Sequence, residues 1–569
     1  MNKVTNATLK NFQRLNKDIE THKFTSRANK RDSARHICPV EYFTHKENQS
    51  VVDDIIETIT PYIDKGIDAT VDSLIYSYLS YLNLTNTGYT YLNEFISSLN
   101  IIPDFPDISW PKDERDVIGI IYQHLLTEGE KNKKGSYYTP THIIDKLVTG
   151  EDFTDKTICD PCCGSGSFLL HLIRSGLVKP DNVYGYDVDV NASKITKMNL
   201  FILSPDVDYN KRIRNCDFLA SEDITYDYFI TNPPWGSMTD TSNYKYYKVK
   251  SGESYSYFIE KCLSNLGFGK LIFLLPISFL NVKAHVDIRS LIMINYSLDS
   301  IFYFGNCFKG VMTDVVGVKI TNKQLRDTYS IIRDNNISTL NYDIIYNDPN
   351  LVIPIYDELS SKIIETIKSK GNHYLTDAEF ALGIMTGNNS KFVFDEYSEN
   401  LRPIFTGKEV MPIYMKPANK FIYYDRKSFQ QVCEEKFFLA PSKLIYKFIN
   451  KNLCFAVDKE FTLTLNSANI LLTPEDFYIS DIVLAAVLSS APMNFYFRNA
   501  VNQIKILKGD IKRLPLPDVT PEYIEKLENV SSYSYINKVD KMKEIDNILY
   551  DFYNFTPEEI KIIEETVYK

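Results

Sequence analysis

Three carboxylates stand at the ends of successive short apolar runs, and their neighbours indicate what each can hold. Asp160 closes "KTICD" and is followed at once by Gly164-Ser165-Gly166 and the helical pattern "SFLLHLI". Glycines at a strand-to-helix junction let a ligand approach the backbone, beside the free N–H groups of the helix start. The turn lacks the Gly-Lys-Ser/Thr of a phosphate loop, and Leu169 breaks the G-x-G-x-x-G pattern. An acid at this turn therefore suits a cationic ammonium better than a pyrophosphate. Asp187 ends the next run, "NVYGYDVD", which also carries Asp189. A carboxylate roughly 20 residues beyond such a turn can accept both hydroxyls of a ribose; the bland alternative is a helix cap or solvated turn. Asp217 ends the third run, "NCDFL", where it can accept from an adenine amino group with Phe218 against the ring. Amine, ribose and adenine, without a phosphate cradle, point to S-adenosylmethionine rather than a nicotinamide dinucleotide. Asp160, Pro161, Gly164, Gly166, Asp187, Asp217 and Phe218 form the expected cofactor set.

A fourth run ends in Asn232-Pro233-Pro234-Trp235, within "FITNPPWG". Proline cannot continue a sheet ladder, so the chain leaves the sheet here. The segment resembles the [D/N/S]-P-P-[Y/F/W] motif of amino-methyltransferases, in the form typical of N6-adenine DNA methyltransferases. An exocyclic adenine amine is a poor nucleophile, because its lone pair is delocalised into the ring. The Asn232 oxygen and a carbonyl fixed by Pro233-Pro234 can accept its two N–H bonds and free that pair for in-line attack. Trp235 can stack on a base rotated out of the duplex.

The order of motifs is similar to that of the γ-class enzymes of restriction-modification systems. Tyr138-Thr139-Pro140, in "KKGSYYTP", resembles the segment that closes over the methionine end of the cofactor. "ESYSYFIEKCL" resembles the helix beside the cofactor, and "GNCFKGVMTDVVGVKI" the segment that offers an aromatic to the flipped base, here Phe308. The last region resembles the TaqI-like specificity domain, through "LGIMTGNNSKFVF", "LNSANILL" and "IKILKGDIKRLPLP". The resemblance implies that Thr386, Gly387 and Asn388 meet phosphates or base edges, and that Lys505, Lys508, Lys512 and Arg513 track the backbone.

These residues need a scaffold, and the alternation of apolar runs with helical patterns predicts one. Parallel βαβ units over residues 116–330 imply an α/β, Rossmann-like methyltransferase sheet. Residues 1–115 read as a helical region for gripping DNA or a partner, 331–354 as a connecting segment, and 355–569 as a mixed α+β target-recognition domain. The chain of 569 residues carries net charge −10, but its first fifty hold ten Lys/Arg against five Asp/Glu. Nine cysteines, an odd number, fit reduced cytoplasmic thiols. Cys159, Cys162 and Cys163 have no second pair or nearby His, so no metal is expected. No run is clean enough to span a membrane.

The expected activity is methylation of adenine N6 at a specific site in double-stranded DNA. The expected partners are that DNA and a separate restriction endonuclease or specificity subunit. Alternatives are a modification subunit of a multisubunit enzyme, an RNA or protein-glutamine methyltransferase, and a non-catalytic DNA-binding relic. A fused nuclease of the acid-x-Lys type is disfavoured, because no Lys within 1–115 has an acid two residues before it.

Overall fold

The computed structural model describes residues 43, 45–63, 66–126, 139–236, 248–308, 313–322, 326–334, 336–501 and 505–568. Tyr138, the Lys131–Lys134 cluster and the basic start lie outside them. Two compact units divide the described residues at Ile355–Tyr356.

The first unit is built on a nine-stranded mixed sheet. Its strands are β1 (Ile158–Asp160), β2 (Val183–Asp187), β3 (Ile213–Asn215), β4 (Tyr228–Thr231), β5 (Lys270–Pro276), β6 (Tyr296–Gly305), β7 (Val315–Asn322), β8 (Thr328–Arg333) and β9 (Asn336–Asn341). Their spatial order is β3-β2-β1-β4-β5-β7-β6-β8-β9. The first five are parallel, with Ile158 paired to Val183 on one side and Tyr228 on the other. β7 runs antiparallel between β5 and β6. β1, β4 and most of β5 are fully buried, which is why these strands read as unbroken apolar runs rather than alternating ones. The winding reverses between β1 and β4, and in such sheets ligands bind beyond the carboxyl ends of the strands at that point.

The helices Asn48–Ile63, Ile67–Tyr81 and Thr90–Ser97 follow from apolar spacings such as Val71, Leu74, Ile75 and Leu79, all fully buried. They share one core with Ile158, Leu169, Val183 and Phe201. Phe95 packs on Phe201 at 5.5 Å, and Asp72 holds Lys194 at 2.6 Å. The boundary expected near residue 115 is thus not a division between compact units. The expected connecting segment 331–354 also differs: β8 and β9 extend the sheet, Tyr342 donates to the Leu298 carbonyl at 2.6 Å, and Tyr329 to that of Pro354 at 2.7 Å.

The second unit has mixed α+β character. One four-stranded antiparallel sheet runs Glu379–Ala381, Ala468–Leu472, Lys443–Lys447, Phe455–Asp458 in spatial order; another runs Val393–Phe394, Lys420–Ile422, Arg402–Phe405, Leu463–Thr464. Helices Pro521–Asn537, Met542–Tyr553 and Pro557–Tyr568 follow. Inside it, Lys443 (0% exposed) is paired with Asp458 (3%) at 2.5 Å.

Candidate active site

A cavity of about 420 Å³ opens where the winding reverses. Asp160 stands at its floor, 2% exposed. Asp160 Oδ1 accepts from the Thr231 hydroxyl at 2.6 Å and the Cys162 N–H at 3.2 Å, leaving Oδ2 available to a cation. Burial pushes this carboxyl up to about 7, with the neighbouring Asp187 charge adding to the effect, while the Thr231 and Cys162 bonds pull the other way. A group held near neutrality by burial is relieved by a bound cation, so the acid fits an ammonium. Cys162 Sγ lies 3.0 Å from Thr231 Oγ1, and its thiol is pushed well up by burial. Among the described residues no group of three or more His, Cys, Asp or Glu is arranged to hold a metal.

The glycine turn takes the form its sequence demands. Gly164 and Gly166 have φ of 55° and 91°, and a Cβ on Gly166 would stand 3.0 Å from Thr196. Asp187 Oδ2 accepts from the Gly164 N–H and Oδ1 from the Asp189 N–H, both at 2.8 Å. Asp187 is therefore not the helix cap. Asp189 takes that place, accepting from Asn191 and Ala192 at the start of helix Val190–Leu203. Asp187 also lines the cavity.

Asp217 and Phe218 form the far wall. Asp217 caps a short turn through the Leu219 N–H at 2.9 Å. The Phe218 ring lies parallel to Phe258 with centroids 6.0 Å apart, and Phe258 comes from helix Ser254–Ser264, the one expected beside the cofactor. Acids near the glycine turn and a pair of flat rings at the other end match an amine-ribose-adenine ligand, and the volume suits a small molecule.

Asn232 follows β4 directly, with its side chain in the cavity wall. Its Nδ2 donates to Thr139 Oγ1 at 3.3 Å, which leaves Oδ1 as the end of the amide that could accept from an amine. Thr139 is 1% exposed, and Pro140 begins helix Thr141–Val148. Pro161 and Pro234 line the cavity, and Pro233 is buried behind it. Trp235 is half-buried; its indole N–H donates to the Leu274 carbonyl on β5 at 3.2 Å, and its ring meets Phe308 edge-on at 5.7 Å. Phe308 is thus beside Trp235, but only 2% exposed. The Gly236 N–H donates to Glu253 at 2.8 Å.

The family of N-6 DNA methylases matches residues 113–326, and the TaqI-like C-terminal specificity domain matches residues 402–516. Over 311 residues the chain is 30% identical to the type II methyltransferase M.VspI of Vibrio sp. (strain 343), covering 51% of this chain and 74% of that one. The chain belongs to the N-6 DNA methylase family of restriction-modification methyltransferases. This methyltransferase is also 31% identical over 208 residues to the methylase subunit of the type I restriction enzyme MjaIX of Methanocaldococcus jannaschii, covering 34% of this chain and 35% of that one. In fold, the methyltransferase is similar to the type IIL restriction-modification enzyme MmeI in complex with DNA: TM-score 0.56, 12% identity, 82% of this chain and 83% of that one. It is likewise similar to the DrdV–DNA complex, with TM-score 0.52, 11% identity, and 88% and 69% covered.

Within the second unit, Thr386 is buried and shapes its own loop: it accepts from the Asn388 N–H at 3.1 Å and donates to Asn389. Gly387 (φ 76°) and Asn388 are exposed. Of the expected cations, Lys512 donates to the Thr376 carbonyl and the exposed Arg513 to Asp510 at 2.8 Å. Lys505 and Lys508 are exposed and carry no side-chain partner among the described residues.

Sequence reasoning missed Asp68, Asp116 and Tyr122. Asp68 comes from the Ile67–Tyr81 helix yet lines the cavity, as does Tyr122. For Asp116 the available signal was an acid three residues before Gly119 at the head of an apolar run.

Proposed function

We propose that this methyltransferase takes its methyl group from S-adenosylmethionine and places it on N6 of an adenine turned out of double-stranded DNA. One relationship carries the reading: Asn232 is the residue after Thr231, whose hydroxyl is bonded to Asp160. The acceptor for an amine and the acceptor for an ammonium are thus two ends of one short hydrogen-bonded path at the switch point of the sheet.

When bound, S-adenosylmethionine supplies a methyl group activated by its sulfonium. Asp160 holds the ammonium, Asp187 the ribose hydroxyls, and Asp217 with Phe218 the adenine. Asn232 Oδ1 and the backbone carbonyl set by Pro233-Pro234 accept the two N–H bonds of the target amine. That arrangement localises the nitrogen lone pair and aims it at the methyl. Trp235, anchored on β5, offers its ring to the target base. The second unit, with Gly387 and Asn388 exposed and with Lys505 and Lys508 exposed in its TaqI-like segment, meets the duplex.

The test is transfer of labelled methyl from S-adenosylmethionine to mixed-sequence duplex DNA, with the product base identified by mass spectrometry. N6-methyladenine is expected. Label at cytosine N4, or in RNA or glutamine peptide with none in DNA, would refute the reading. Asn232→Ala should lower turnover about 100-fold or more while sparing cofactor affinity. The likeness to a type I methylase subunit supports a second reading, with a separate specificity or endonuclease subunit as partner. Sequence-specific methylation by the purified chain alone would count against a required partner.

A further inference from the structure

The nine-residue helix Val117–Leu125 carries none of the groups assigned above to substrate or cofactor, yet both its ends reach the turns that hold them. At its start, Asp116 Oδ2 accepts from the Ser165 hydroxyl of the glycine turn at 2.6 Å. Asp116 Oδ1 accepts from Asn199 Nδ2 at 2.7 Å and from the Gly119 N–H at 3.1 Å. Gly119 is required by this fold-back: a Cβ there would fall 2.2 Å from the Asp116 carboxylate. Two turns of helix later, the Tyr122 hydroxyl donates to both oxygens of Asp189, at 2.8 and 3.1 Å. Asp189 in turn gives its N–H to Asp187. Helix Val190–Leu203 completes the circuit from the other side: Asn199 Nδ2 also reaches the Ser165 carbonyl at 3.1 Å, and Thr196 donates to the Gly164 carbonyl at 2.6 Å.

We propose that Asp116 and Tyr122 are positioning residues for the cofactor, setting the glycine turn and the Asp187–Asp189 turn at a fixed separation from one rigid helix. The proposal rests on the S-adenosylmethionine reading above. The helix packs through Val117, Ile118, Ile120 and Ile121, each 0–1% exposed, and through the buried Tyr122 ring, while the Asp116 carboxylate and the Tyr122 hydroxyl add polar contacts that this packing does not need. The polar groups instead point at the two turns, one of them through a hydroxyl and the other through a carboxylate. Asp187 would hold the ribose and Asp160 the ammonium, so the spacing of the two turns would decide how well both are met at once.

The experiment uses the full chain and three variants: Tyr122→Phe, Ser165→Ala and Asp116→Asn. S-adenosylmethionine affinity is measured by calorimetry, melting temperature without ligand by scanning, and steady-state kinetics on duplex DNA. Tyr122→Phe keeps the buried ring and removes the hydroxyl that donates to Asp189. It should weaken the cofactor about tenfold, as expected for a hydrogen bond to a charged group. The loss should fall on KM for the cofactor and not on kcat at saturation, with a melting temperature close to that of the unaltered chain. Ser165→Ala should behave alike. If Asp116→Asn fails to fold, the other two variants decide. Unchanged cofactor affinity in both Tyr122→Phe and Ser165→Ala overturns the proposal while leaving the function standing. A loss of melting temperature and kcat in parallel with affinity overturns it also, as the mark of general destabilisation. If the unaltered chain itself binds no S-adenosylmethionine, the proposed function falls and the positioning role with it.

Discussion

The Asn232 side chain donates to the hydroxyl of Thr139, 93 residues earlier in the chain, at 3.3 Å. In this pairing Nδ2 is engaged with Thr139 and Oδ1 is the end left for an amine. An amide free to turn would offer an amine its NH2 group half of the time. Thr139→Val keeps the shape and removes the acceptor. Its kcat should fall about tenfold, the equivalent of one lost hydrogen bond, with cofactor affinity unchanged. Single-turnover methylation and cofactor titration separate the two; an unaltered kcat would show that Asn232 is oriented by other means.

On the proposed function, Asp160 should make cofactor binding sensitive to pH. In the folded chain burial raises its carboxyl to about 7, against about 3.9 for an unfolded aspartate. Between those values the folded state holds a proton that the unfolded state has released. On this account ligand-free stability declines as pH rises from about 4 to about 7. Binding of an ammonium needs the ionised form, so affinity should rise by up to about tenfold per pH unit below about 7 and level off above it. Calorimetry in buffers of different ionisation enthalpy should detect proton release on binding near pH 6. Asp160→Asn should abolish that slope, lower affinity and raise ligand-free stability at alkaline pH. A flat affinity profile from pH 5.5 to 8 in the unaltered chain would rule out Asp160 as the ammonium acceptor.

Trp235 does with its indole N–H what a phenylalanine cannot, since the bond to Leu274 ties the ring to β5. Trp235→Phe should therefore raise KM for DNA and lower kcat/KM by about tenfold, leaving cofactor affinity intact. Stopped-flow fluorescence with 2-aminopurine at the target position should show slower or less complete extrusion of the base. Equal extrusion by the variant would assign the indole a packing role alone.

The buried Lys443–Asp458 pair should dominate the stability of the second unit's sheet. Burial alone would raise the Asp458 carboxyl, but the Lys443 charge and hydrogen bonds from Glu460 and Thr462 hold it below the usual range. Removing one partner leaves a buried charge uncompensated, so Lys443→Met should cost about 3–5 kcal/mol in chemical denaturation. The contribution is present above about pH 4, the unfolded value, and is lost as pH falls through the lower folded one. A cost under about 1 kcal/mol would indicate that water or a rearranged neighbour takes over the missing charge.

The strand-end acids were legible because each follows an apolar run that stops abruptly, a purely local signal. Asp160, Asp187 and Asp217 do reach one cavity. Asp116 and Tyr122 were not legible, because their partners lie 49 and 67 residues further along the chain. The amphipathic spacing of the N-terminal helices was plain, but not the surface they cover: Asp72 meets Lys194 at a separation of 122 residues. β8 and β9 read as a linker because they lie at the sheet's edge and carry Asn, Ser and Thr where central strands carry Ile and Val. The sequence shows the charges of Lys512 and Arg513 but not the Thr376 carbonyl and Asp510 carboxylate that they meet. Thr139 was singled out only through resemblance, and its bond to Asn232 supplies the physical reason.

The passage between the two compact units at Ile355–Tyr356 separates the methyl-transfer residues from the TaqI-like segment along the chain. Every side chain assigned to the transfer step lies before it, and the matched specificity segment lies wholly after it. On the proposed function, a single recombination junction there would exchange the word that is read and leave the pen untouched, so such an enzyme could change vocabulary without reinventing its chemistry.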